Sequence, residues 1–121
     1  MIEFTRINHI HICVPLERLE EARLFYINVV GLLQIERPHV FPAPGHWFNI
    51  GDIELHIGVE EINIRTIRHS AFEVAGINTA RKQLEAHGVE IMEEPVIAGR
   101  IRFSFFDPFG NRMELLQMVD K

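Results

Sequence analysis

Residues 7–14, Ile-Asn-His-Ile-His-Ile-Cys-Val, alternate with a period of two. Ile10, Ile12 and Val14 fall on one face, and His9, His11 and Cys13 on the other. That pattern predicts a strand with one apolar and one polar side. Pro15 ends it and is suited to the first turn of a helix. Glu17 to Val30 reads as that helix, with Leu24, Phe25 and Ile27 as its apolar stripe and Gly31 as its C-terminal cap. A short strand over 34–37 follows, then a loop over 38–45 that holds three prolines and a glycine. Trp47–Ile50 and Ile53–Gly58 read as two strands turned at Gly51-Asp52. In the second, Glu54 and His56 face away from Ile53, Leu55 and Ile57.

Residues 59–66 read as a link, and the series then begins again. A strand is expected over Arg68–Val74. A helix follows, capped by Asn78 or Thr79, with Ile77, Ala80 and Leu84 buried, and ends at His87-Gly88. Strands are expected over 89–92, 101–106 and 112–118, the last after the turn-forming run Asp107-Pro108-Phe109-Gly110-Asn111. The order is thus β-α-β-β-β twice. One offset of 60 residues relates His9 to His69, Glu54 to Glu114, Val14 to Val74, Leu24 to Leu84 and Leu55 to Leu115. Two repeats are too few for a solenoid. The expected fold class is therefore α+β: a single domain over 1–121, with internal modules at about 5–58 and 66–119. The two βαβββ modules are expected to form a cup-shaped curved mixed sheet with helices on its outer face.

Composition narrows the function. The formal charge is −5, with only two lysines and scattered arginines, which disfavours a nucleic-acid surface. Cys13 is the only cysteine, so no internal disulfide is expected and a reducing compartment fits. No basic-then-apolar leader opens the chain, and no run approaches the ~20 apolar residues of a membrane span. These features make a cytoplasmic protein the expectation.

Each module places one histidine early in its first strand and one glutamate within its last. Should the modules pair around a cup, His9, Glu54, His69 and Glu114 would converge. Such a mixed nitrogen and oxygen set suits Zn²⁺, Mn²⁺, Ni²⁺, Co²⁺ or Fe²⁺, and the lack of thiolates argues against a structural zinc knot. The plainer alternative is the solvated face of an antiparallel sheet, where such residues need no function. His11 and His56 share strand faces with these residues, as substitute ligands, as a base beside the ligands or as histidines bonded to water. Arg102 lies with Arg100 and Ser104 opposite Ile101, Phe103 and Phe105. It is either a forked donor to a substrate oxyanion or a solvated surface residue. Trp47 either walls a cavity or packs ordinarily.

Three segments carry a resemblance. Ile7–Val14, with the helix containing Phe25-Tyr26 and then Gly31-Leu32, resembles the first module of the vicinal oxygen chelate superfamily. That superfamily includes glyoxalase I, fosfomycin- and bleomycin-resistance proteins and extradiol dioxygenases. Leu84–Val89 resembles its second helix. Phe105-Phe-Asp-Pro-Phe-Gly-Asn-Arg-Met-Glu-Leu115 resembles its closing turn and strand. The resemblance implies His9, His69 and Glu114 as ligands of one divalent metal, and Glu54 as the fourth ligand of glyoxalase-like members, which fosfomycin-type members lack. It implies a glyoxalase-like lyase, isomerase or epimerase whose small substrate chelates the ion through adjacent oxygens, with Glu54 or Glu114 as base. If their faces line the cup, Arg102, Trp47, His11 and His56 would bind substrate; a homodimer is the assembly that the resemblance implies. The chain lacks the extra N-terminal helix of longer glyoxalases and any recognisable glutathione-binding set. Its 121 residues argue against the four-module dioxygenases. The alternatives are a metal-free drug-binding protein of the bleomycin-resistance kind and a fosfomycin-type thiol transferase.

Overall fold

The computed structural model describes residues 1–61 and 65–119. Its contacts divide into two compact units, Met1–Ile62 and Asn63–Lys121. Part of the link expected over 59–66 lies outside the described residues, and Val59 belongs to the strand before it.

The first unit runs β1 (His9–Val14), a 3-10 turn (Leu16–Arg18), α1 (Leu19–Phe25), a π-helical turn (Tyr26–Val30), β2 (Leu33–Ile35), β3 (His46–Ile50) and β4 (Ile53–Val59). The sheet order is β1-β4-β3-β2. β1 lies parallel to β4, and the other pairs are antiparallel. The alternation seen in β1 and β4 survives intact. His9 pairs with Glu54, His11 with His56 and Cys13 with Gly58, so these side chains share one face. Trp47 and Asn49 join that face through their pairing with His56 and Glu54. The opposite face carries Val14, Phe48, Leu55 and Ile57, all at most 1% exposed. The helical segment covers that apolar face, with the Tyr26 ring 6.3 Å from that of Phe48.

Two local ion pairs, Arg18–Glu21 and Arg23–Glu20, support α1. Gly31 ends the helical run in the left-handed region, at φ 88°, a conformation open to glycine at no steric cost. The buried stripe is Leu19, Ala22, Phe25 and Tyr26; of the expected Leu24, Phe25 and Ile27, only Phe25 is in it. Leu24 is 42% exposed. The segment opens as a 3-10 turn and closes as a π turn, so a uniform 3.6-residue period misplaces the face.

The second unit runs β5 (His69–Glu73), α2 (Ile77–Ala86), β6 (Met92–Glu93), β7 (Arg100–Phe106) and β8 (Arg112–Met118), in sheet order β5-β8-β7-β6. It too is a mixed sheet, with β5 parallel to β8. Phe103, Phe105 and Met113 form its apolar face with Ile77 and Leu84 of α2. The helix starts earlier than the expected caps Asn78 and Thr79. Gly76 stands at the N-cap, and the Ile77 N–H donates to the Gln117 side-chain oxygen at 2.9 Å. A cap supplied from β8 leaves no local sequence signal. The run 107–111 is a turn, as its composition implies. The buried Asp107 carboxylate accepts from the Phe109 and Asn111 N–H groups and from the Asn111 side-chain amide. The fold class is α+β with two βαβββ units, as the sequence pattern indicates.

Candidate metal centre

In the first unit, β1 and β4 bring His9, Glu54 and His56 together on the polar face. The His56 Nε2–H donates to a Glu54 oxygen at 2.9 Å. The His56 ring lies between two others. It stacks on His9 at 4.0 Å with an 18° interplanar angle, and on Trp47 at 3.9 Å and 2°. Phe41 continues the column at 5.9 Å from Trp47, and the Arg37 guanidinium caps Phe41 at 4.6 Å. Trp47 is thus packed by rings on both sides. His56 is 6% exposed. His11 sits beside it and is exposed. Burial, then the nearby His56, His9 and Arg37, hold the His11 pKa below the usual range.

In the second unit, the His69 Nε2 lies 3.3 Å from a Glu114 oxygen, and Arg102 lies 3.4 Å from the other. Glu114 is buried, at 6% exposure. Arg102 also donates to the Pro95 carbonyl at 2.8 Å. Ser104 pairs with Glu114 across β7 and β8 and shares its face. Arg112, on that face as well, pairs with Glu94, a contact for which the sequence offers no signal.

The two proposed histidine ligands share one feature, an oxygen acceptor at Nδ1. The His9 Nδ1–H donates to the Asn8 side-chain oxygen at 2.9 Å. The His69 Nδ1–H donates to the Ile67 carbonyl at 2.8 Å. With the proton on Nδ1, a neutral ring offers Nε2 as its donor nitrogen; in His69 that atom faces the Glu114 carboxylate. Metal-binding histidines almost always donate their other ring N–H in this manner. The donor chemistry of each half, one oriented imidazole and one carboxylate on a shared face, therefore fits a divalent ion. Within each half, among the described residues, no group of three or more His, Cys, Asp or Glu is gathered to hold one. Cys13 is no candidate nucleophile: burial and then the Glu60 carboxylate push its thiol pKa up.

Comparison with known proteins agrees with this layout. The Glyoxalase/Bleomycin resistance protein/Dioxygenase superfamily profile matches residues 6–115. A Bacillus anthracis chain assigned to the glyoxalase family has 34% identity and a TM-score of 0.90, covering 98% of this chain and all of that one. The Arabidopsis thaliana protein "Glyoxylase I 4" is 25% identical, over 94% of this chain and 71% of its own length. The fosfomycin resistance protein FosX from Listeria monocytogenes shares the fold. A variant of it complexed with Mn(II) and 1S,2S-dihydroxypropylphosphonic acid has 21% identity and a TM-score of 0.82, over 97% of this chain and 95% of that one. The twice-repeated βαβββ order, the Asp107–Asn111 turn and these matches together mean that the chain belongs to the Glyoxalase/Bleomycin resistance protein/Dioxygenase superfamily.

Proposed function

We propose that this protein is a metal-dependent, glyoxalase-like enzyme, a lyase, isomerase or epimerase of a small substrate with two adjacent oxygens. The observation that carries the reading is the matched hydrogen bonding of His9 and His69 through Nδ1. Each has Nδ1 committed to an oxygen acceptor, which leaves Nε2 as the donor nitrogen, on the same sheet face as a glutamate. The donors proposed for the ion are His9, Glu54, His69 and Glu114. A bound divalent cation would act as a Lewis acid that stabilises an oxyanion next to the reacting carbon. The chain itself supplies the base, Glu54 or Glu114, within reach of a proton beside a carbonyl. His56 holds Glu54, and Arg102 holds Glu114, so neither carboxylate needs to reorganise to accept a proton. Arg102, with His11 and Trp47, is proposed to meet the substrate, and the working assembly is proposed to be a homodimer.

Elemental analysis tests the reading. The protein, dialysed against Mn²⁺, Zn²⁺, Ni²⁺, Co²⁺ or Fe²⁺ and then desalted, should retain close to one ion per chain with one of them. His9→Ala and His69→Ala should lose it while keeping the wild-type circular dichroism. Full occupancy in either variant would overturn the ligand assignment. A wild-type protein that takes up none of these ions would instead be the metal-free, drug-binding kind of member.

A further inference from the structure

His56 touches both donors proposed for the first half of the site. Its Nε2–H reaches Glu54 at 2.9 Å, and its ring lies 4.0 Å from that of His9. Its other face is closed by Trp47 at 3.9 Å, with the two planes 2° apart. The residue is nearly inaccessible, at 6% exposure. Little of its surface is therefore open to a substrate, and its Nε2 is already engaged by a carboxylate. A buried ring clamped between two others has one position only. Whatever that ring bonds or stacks on inherits its rigidity.

We infer that His56 is a positioning residue, which fixes the Glu54 carboxylate and the His9 ring before an ion arrives. The inference rests on the metal-dependent reading above. It departs from the expectation that His56 meets substrate. The hydrogen bond engages one Glu54 oxygen and orients the other. The stacking keeps the His9 ring from turning about its side-chain bonds, while Asn8 holds its Nδ1. A partner that orients a metal ligand in this way is generally worth 10–100-fold in metal affinity.

Two variants separate the ring from the hydrogen bond. His56→Phe keeps an aromatic plane between Trp47 and His9 but removes the donor. His56→Gln keeps a donor for Glu54 but removes the plane. Calorimetric titration with the ion that the wild type retains should show His56→Phe binding about 10–100-fold more weakly. His56→Gln should recover part of that loss. Binding of both variants at the wild-type affinity, with wild-type circular dichroism, would overturn the inference and leave the metal reading standing. A wild type that binds no ion would overturn both. One measurement needs no variant: long-range proton–nitrogen correlation on the ion-free wild type should find the His56 proton on Nε2. A bare Nε2 there would remove the proposed hydrogen bond and the inference with it.

Discussion

Gly58 stands directly against the imidazole of His11. A Cβ built on Gly58 would lie 2.5 Å from the His11 Nε2 and 2.9 Å from its Cε1, closer than real side-chain atoms approach. The pair sits on the polar face of the first sheet, where β4 gives up a side chain so that the β1 ring can lie flat. Gly58→Ala should therefore displace the His11 ring rather than the backbone. Because that ring is an exposed side-chain end, the cost should be at the low end for overpacking, about 1 kcal/mol. The His11 proton resonances should move while those of His69 stay in place. Unchanged His11 resonances would contradict the packing described.

Asp107 ties the 107–111 turn from within. Its carboxylate, 1% exposed, receives two backbone N–H groups and one side-chain amide. Asp107→Ala would strand those donors, and each buried, unsatisfied group costs about 1–3 kcal/mol. A total loss of about 3 kcal/mol or more is expected by urea denaturation. Asp107→Asn keeps one acceptor oxygen and should cost clearly less.

The apolar faces carry the stability of the two sheets. Phe48 and Phe103 are each 0% exposed. Phe48→Ala or Phe103→Ala should cost about 3–5 kcal/mol, the range for emptying an aromatic site in a packed core. Leu24→Ala, by contrast, should stay near 1 kcal/mol, because that side chain is 42% exposed. Denaturant midpoints of the three variants check the ranking.

His46 gives stability a pH dependence. Burial, then Arg23, holds its pKa below the usual histidine range, and Arg37 adds to this against an opposing pull from Glu20. The Gln34 amide donates to the His46 Nδ1 at 3.2 Å, and Arg23 holds the amide oxygen at 3.3 Å. The folded state thus prefers the neutral ring, and the unfolded chain takes up the proton first. The contribution is complete above the unfolded pKa of about 6.5 and is lost as pH falls through the depressed folded value. His46→Gln should therefore flatten the fall in unfolding free energy between about pH 7 and pH 5. An equal slope in the variant would refute the assignment.

The strand alternation in 9–14, 53–59 and 112–118 was legible because a period of two survives any sheet context. It puts His9 with His11, and Glu54 with His56, on one face of their own strands, and the register of β1 on β4 joins the two pairs. The paired offset of 60 residues also found both βαβββ units. That offset implies equal registers, and the registers differ. His9 pairs with Glu54 in the first sheet, whereas in the second His69 pairs with Arg112, and Glu114 with Ala71. The slip is two residues, an even step that keeps every side chain on its face. Identity counts cannot reveal it. The helix stripe failed at Leu24 because 3-10 and π turns change the rotation per residue. The caps Asn78 and Thr79 failed because Gln117, from another strand, does their work. Contacts between side chains on one face, such as His56 with Glu54 and Arg102 with Glu114, depend on rotamers that no spacing rule contains.

Trp47 is the sole tryptophan of the chain, and its indole lies flat on the His56 imidazole. The protein therefore carries a natural optical probe one ring away from its proposed chemistry. Ultraviolet emission from this single fluorophore will register whatever alters the electron demand of its neighbour, with no label attached and no background from a second indole.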